Sequence, residues 1–218
     1  MPSERFLNLA KDKRTKIIGA AIEEFVSVDY EKVSINKIIK KAEISRGSFY
    51  TYFVDKEDLF MYIVKDYLGF VYSFIAQNFY DSNRDIFETA VNVVDKAMIL
   101  ETNSIHAGII RNMASLDSML RKLIELGLAG GPGSEEEDDG IHLARILYNN
   151  GKEEYRKSFE DFYFVLDILF SQALRAIDGF LTYKKLYGKG PGDKDVEFNR
   201  KAFKRQIEMV KTGYLNMS

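Results

Sequence analysis

Residues Ser34 to Lys56, SINKIIKKAEISRGSFYTYFVDK, constrain the fold more than any other stretch of the chain. Ile35, Ile38, Ile39 and Ala42 recur at helical spacing and line one face of a short helix. Ser34 opens it, with a hydroxyl suited to accept a free first-turn amide. Glu43 and Ile44 make the turn. Ser45 then caps a second short helix, Arg46 to Tyr52; Phe49 within it and Phe53 just after it stand four apart and face inward. Asp55 caps the next helix, with Asp58 at its third position in a variant of the capping box. Arg46, Gly47, Ser48, Tyr50, Thr51 and Tyr52 are left for the outside, too polar and aromatic a set for a helix that is only core. The pattern is a helix-turn-helix.

The rest of the chain is also helical in pattern. Proline occurs only at positions 2, 132 and 191, so long stretches are free of helix breakers. A first helix from Asp12 to Val28 repeats Ile17, Ile18, Ala21, Ile22 and Phe25. The helix from Lys56 to Phe79 is apolar most of the way round and must be covered on several sides. Two or three helices are expected between Asp85 and Leu128, then a loop of glycine, proline and acid, Gly127 to Gly140. A short helix, Ile141 to Tyr148, precedes a break at Asn149-Asn150-Gly151. The longest helix is expected over Glu154 to Tyr187, ended by Gly188 to Gly192, and Asp193 caps a last one running to Val210 or beyond. No stretch alternates as a strand does, so the fold class is all-α, with about nine or ten helices. The division expected is a three-helix unit over 1–54 and a larger helical domain over 55–218.

Composition excludes several classes of function. With no cysteine there is no disulfide scaffold, thiolate metal site or cysteine nucleophile. The histidines, His106 and His142, lack a His-Glu-x-x-His pattern, and no serine sits in a Gly-x-Ser-x-Gly elbow. Gly130-Gly131-Pro132-Gly133 is followed by acid rather than by Lys-Ser or Lys-Thr, which rules out a phosphate loop. Asp193, Asp195 and Glu197 fit a capped helix start better than a calcium loop, because Lys204 stands where glutamate is required. No enzyme activity, cofactor or metal is expected. The opening residues carry charge too early for a signal peptide, and the apolar helix over 159–181 is interrupted by Asp161, Asp167, Arg175 and Asp178. A soluble cytoplasmic protein without a membrane partner is expected.

Net charge is −2, yet the charge is polarised. Lys11, Lys13, Arg14 and Lys16 cluster at the first helix, and Lys37, Lys40, Lys41 and Arg46 around the motif, whereas Glu135 to Asp139 form an acidic run far away. A local basic face is what nucleic-acid binding requires, whatever the total. In a helix-turn-helix one helix braces and the next enters the DNA major groove. There arginine forks onto guanine, hydroxyls bond to either partner, and glycine permits close approach.

Over about Thr15 to Ile63 the sequence resembles the DNA-binding domain of the TetR family of transcriptional regulators. The resemblance rests on Phe25, Ser34, Ala42, Ser45-Arg46-Gly47-Ser48-Phe49-Tyr50, and Phe53 with Asp55-Lys56-Glu57-Asp58-Leu59. One departure is Glu43, where the family usually has glycine in the turn; a non-glycine residue there is expected to hold a positive φ. The resemblance implies that Arg46, Gly47, Ser48, Tyr50 and Thr51 lie at base edges. It further implies that Tyr52 and Lys56 contact phosphates, and that Ser34 and Asn36 face the opposite backbone of the groove.

For the remainder, the resemblance implies a ligand-binding and dimerisation domain and a homodimer paired through the last two long helices. Phe170, Leu174, Ile177 and Leu181, with Phe203, Ile207 and Val210, recur at suitable spacing for that interface. Such a dimer sets two recognition helices about 34 Å apart or a little more, and so implies a palindromic double-stranded operator. An unknown small effector, apolar or aromatic, is expected among the middle helices, with Tyr62, Tyr67, Phe70, Phe87, His106, Arg111 and Asp117 as the residues to watch. The expected function is a ligand-released repressor. The alternative is a DNA-binding or protein-interaction module of the same fold without a small-molecule effector.

Overall fold

The computed structural model describes residues 2–28, 30–99, 139–188, 190 and 192–217, and among them every regular element is helical. They form two compact units. One runs through residue 70; the other takes 71–99 and the described residues from 139 onward. Residues 55–70 thus belong with the helix-turn-helix, past the boundary expected at 54/55.

The first unit holds α1 (Glu4–Leu7), α2 (Lys11–Ser27), a 3-10 turn (Tyr30–Lys32), α3 (Ile35–Ala42), α4 (Arg46–Tyr52) and the first part of α5 (Lys56–Asp81). Its core follows the sequence periodicity. Ile17, Ala21, Ile22 and Phe25 of α2 meet Ile38 and Ala42 of α3, Phe49 of α4, and Leu59, Phe60, Ile63 and Val64 of α5. Phe25, Tyr30 and Phe60 form an aromatic cluster with centroids 5.1–6.1 Å apart. This geometry contributes beyond buried area alone.

The second unit holds the end of α5, α6 (Ile86–Ile99), α7 (Asp139–Asn150), a 3-10 turn (Glu153–Tyr155), α8 (Phe159–Tyr187) and α9 (Lys194–Leu215). The long helix begins at Phe159 rather than Glu154. Ser158 caps it by accepting from the Asp161 amide, and the preceding residues form the 3-10 turn instead. Asp193 caps α9 through the Asp195 amide, as its position implied. Phe162, Val165, Leu169, Ala173, Ile177 and Phe180 form the buried stripe of α8; Val196, Phe203, Ile207 and Tyr214 form that of α9.

Those stripes correct part of the expected dimer face. Ile177, Phe203 and Ile207 are buried inside the unit; Leu174, Leu181 and Val210 are half-buried; only Phe170 of that set is exposed. The spacing was right for an apolar stripe, but the stripe faces the protomer's own core.

The second unit is also tied by buried charge. Asp85, 3% exposed, accepts from the Phe87 and Glu88 amides at 3.0 and 3.1 Å, capping α6. Its other oxygen accepts from Lys152 and the Tyr155 hydroxyl at 2.7 Å each and from Lys211 at 3.3 Å. Burial works to raise its pKa, but these donors outweigh burial and hold the carboxyl well below the usual carboxylate range. A second link joins α6 to α9, where Arg200 forks onto Asp95 with both bonds at 2.6 Å.

Candidate nucleic-acid interface

The turn between α3 and α4 is made by Glu43, at φ 54° and ψ 44°, the left-handed conformation expected at this departure from glycine. Its amide returns to the carbonyls of Ile39 and Lys40. Its carboxylate pairs with Lys16 at 2.6 Å, and the Lys16 hydrogen bond lowers its pKa. Ser45 caps α4 by accepting from the Ser48 amide at 3.0 Å. Asp55 accepts from the Asp58 amide at 2.8 Å, and Asp58 reaches back to the Val54 amide at 3.0 Å, a capping box displaced by one residue.

Ser34 occupies the capping position of α3, but its hydroxyl takes no first-turn amide. Instead its own amide donates to Glu24 on α2 at 3.2 Å, and Lys37 approaches the same carboxylate oxygen at 3.4 Å. The bracing helix is thus fixed to α2 through a mostly buried glutamate.

On α4, Phe49 is fully buried, while Arg46, Gly47 and Tyr50 are exposed and Ser48 and Thr51 half-exposed. Thr51 donates its hydroxyl back to the Gly47 carbonyl at 2.9 Å, and Ser48 shares a 2.8 Å bond with Ser45. Asn36, exposed on α3, accepts from Arg46 at 3.0 Å. All five residues of the expected base-edge set are thus at least partly exposed, on the side of α4 away from Phe49.

Two members of the expected phosphate set sit differently. Tyr52 is 8% exposed, with its ring 5.9 Å from Phe6, so it is a core aromatic rather than an outward one. At a helix end, one residue's offset decides which face a side chain takes. Lys56 is half-buried and donates to the Tyr30 carbonyl at 2.9 Å, with its amine 4.3 Å from that ring's centroid. It anchors the start of α5 to the turn after α2.

An unforeseen brace is α1. Ser3 donates its amide to the Tyr52 carbonyl at 2.9 Å and its hydroxyl to the Thr51 carbonyl at 2.7 Å, taking up acceptors at the end of α4. Fully buried Phe6 packs on Phe53 at 4.6 Å and on Tyr62 at 5.3 Å. The available signal was a serine followed three residues later by one aromatic in a polar stretch.

Tyr62, half-buried, thereby packs against the core of the first unit. Tyr67 also packs against that core, and burial pushes its hydroxyl up to about 12. Phe87 is buried in the second unit against Tyr155 at 5.2 Å. Phe70 is half-exposed; His106, Arg111 and Asp117 lie outside the described residues. A cleft of about 400 Å³ does open between α8 and α9, lined also by Met98 of α6; Gln172, Arg175, Asn199 and Gln206 are its polar lining residues other than Tyr183. None of the expected effector residues lines it. Among the described residues, no group of three or more His, Asp or Glu could hold a metal.

A capped turn, a braced first helix and a second helix with polar residues outward define a helix-turn-helix domain. Residues 17–63 match the family of bacterial regulatory proteins, tetR family. This domain, about a fifth of the chain, is of the TetR type. It is 37% identical over 62 residues to the fatty acid metabolism regulator protein of Bacillus subtilis (strain 168), a span of 27% of this chain and 32% of that protein. It is 30% identical over 104 residues to the HTH-type dhaKLM operon transcriptional activator DhaS of Lactococcus lactis subsp. lactis (strain IL1403), covering 42% of this chain and 56% of that one. The matches thus span between a third and rather more than half of these relatives. A TetR family transcriptional regulator from Chloroflexus aurantiacus J-10-FL is similar over 98% of both chains, at 21% identity and a TM-score of 0.45.

Proposed function

We propose that the chain is a homodimeric transcriptional regulator that binds a palindromic operator through α4 and is released when a small apolar or aromatic effector binds the larger domain. The first unit, through residue 70, would supply DNA binding, and the remainder effector binding and dimerisation. The observation that carries the DNA-binding reading is the exposure of Arg46, Gly47, Ser48, Tyr50 and Thr51 on a helix whose Phe49 side is fixed in a core, with exposed Asn36 of α3 bonded to Arg46. Pairing is supported by apolar residues outside the core: Phe164, Ile168 and Phe170 on α8, Phe198 and Met209 on α9. Gln172 and Gln206 share the cleft between the helices, and Ile168 and Met209 each lie about one turn beyond, at the same end. The small residues Ala176, Gly179 and Ala202 in that cleft leave room for a partner helix. α5 is long and apolar enough to cross a membrane by composition, but Leu59, Phe60, Ile63 and Val64 are buried in a protein core, and we read it as a core helix of a cytoplasmic protein. An effector that shifts α5 would alter the separation of the recognition helices, provided it binds one state better than the other.

The first test is binding of the full chain to its own upstream intergenic DNA at two salt concentrations, with excess non-specific competitor. Tight, competitor-resistant binding to a short palindrome is expected. Gly47→Ala isolates the docking surface, because a Cβ there meets nothing closer than the Ser45 hydroxyl at 3.8 Å. The variant should be as stable as the parent or more so, by up to about 1 kcal/mol, while operator affinity falls. Undiminished affinity rejects close approach of α4 to DNA. A reporter under the operator gives the sign of regulation, since DhaS is named an activator.

A further inference from the structure

Arg46 is the first residue of α4 and is exposed, yet it is not a loose surface arginine. One guanidinium nitrogen donates to the Asn36 side-chain oxygen on α3 at 3.0 Å, and the other to the Tyr50 hydroxyl one turn along α4 at 3.4 Å. The guanidinium carbon lies 5.6 Å from the Tyr50 ring centroid. The arginine is therefore held from both helices of the motif, by residues that do not need it for the core: Asn36 and Tyr50 are themselves exposed, Tyr50 by 46%. Of the five N–H donors of a guanidinium, these bonds use two, which leaves enough for a fork onto one further planar acceptor pair.

We infer that Asn36 is a positioning residue for Arg46, and that the two together read one guanine in each operator half-site. Guanine offers O6 and N7 side by side in the major groove, the acceptor pair that a guanidinium fork matches. An exposed arginine samples many rotamers and must give them up on binding. Here the bond across the turn restricts that freedom beforehand, so base choice depends on a residue of the bracing helix that need not touch the base. This replaces the expectation that Asn36 faces the opposite backbone of the groove. It rests on the proposal that α4 enters the major groove.

The test is selection of bound sequences from a randomised double-stranded DNA library by the full-length protein and three variants, followed by affinities for the selected site and its single-base changes. The parent should select a guanine at one position of each half-site, preferring it by about tenfold or more over other bases. Arg46→Lys keeps the charge but cannot fork; it should lose that preference while retaining the rest of the site and its salt dependence. Asn36→Ala should reduce the preference at the same position by about threefold or more, and Tyr50→Phe, which removes only the hydroxyl, by less. All three sites are exposed, so melting temperatures should match the parent's. If Arg46→Lys leaves base preference unaltered at every position, Arg46 is a phosphate contact and the inference fails while α4 docking stands. If Asn36→Ala weakens binding equally for all bases, Asn36 does not position Arg46. If the parent enriches no sequence at all, sequence-specific docking fails, and this inference with it.

Discussion

Replacing Asp85 tests whether one buried carboxylate holds the second unit together. Its side chain is 4% exposed and bonds to the first amides of α6, to Lys152 and Tyr155 near the start of α8, and to Lys211 on α9. Asp85→Ala removes a helix cap, worth about 1 kcal/mol, and strands the Tyr155 hydroxyl, at about 1–3 kcal/mol. Breaking a buried ion pair costs about 3–5 kcal/mol, but the side chains of Lys152 and Lys211 are 35% and 27% exposed and can rehydrate, which favours the low end. These terms overlap rather than add, so the expected loss is about 3–4 kcal/mol. Asp85→Asn keeps an acceptor for the cap but no charge, and should cost about half as much. Urea unfolding of the full chain at pH 7, followed by far-ultraviolet circular dichroism, measures both. The pH dependence adds a sign. A carboxyl whose folded pKa is depressed contributes fully above its unfolded value, about 3.9, and loses that contribution as pH falls through the folded value. The gap between parent and Asp85→Asn should therefore stay constant from pH 7 to about 5 and narrow only below about 4. An Asp85→Ala variant within about 0.5 kcal/mol of the parent, or a gap that narrows as pH rises, would falsify the assignment of Asp85 as the tie.

Two further substitutions probe other joints. Phe6→Ala empties a fully buried site among Tyr52, Phe53 and Tyr62, and should destabilise the first unit by about 3–5 kcal/mol. Thermal unfolding checks it, and a loss below about 1 kcal/mol would mean that α1 is not a brace. Gly151→Ala places a Cβ 2.7 Å from the Leu147 carbonyl oxygen, a backbone atom that cannot swing aside, so a loss of about 1–3 kcal/mol is expected from the same measurement. Unchanged stability would show that the end of α7 relaxes freely.

The helix-turn-helix was legible almost residue for residue. Its boundaries, the cap at Ser45, the box at Asp55 and the left-handed Glu43 all depend on forces acting over three or four residues, and such forces leave their mark in local sequence. Where the sequence misled, the deciding contact lay far along the chain. Tyr52 follows two polar-face residues and reads as outward, but Phe6, from a segment with no periodicity of its own, provides a surface that draws it in. Half-buried Tyr62 packs on the same Phe6, a contact that the sequence of α5 alone does not reveal.

The error in the dimer face has a different origin. Ile177, Phe203 and Ile207 satisfy the spacing of a helix interface, and so does any helix packed on its own protomer, because the period of 3.6 residues describes the helix and not its neighbour. What separates the two uses is which stripe remains after the protomer's own core has been filled. On α8 and α9 the remainder includes Phe164, Ile168, Phe198 and Met209, near a cleft that holds Ala176, Gly179 and Ala202, and none of the four had a place in a pattern built on buried positions. The stripe proposed to face a partner, interleaved with glutamine, glycine and arginine, cannot be picked out by hydrophobic periodicity. It emerges only by subtraction, once the tighter stripe has been assigned to the interior. The same logic applies to Arg46. Its chemistry was readable from its type and position, but its hold on Asn36 spans ten residues and a turn, and that hold converts a generic basic side chain into one with a direction.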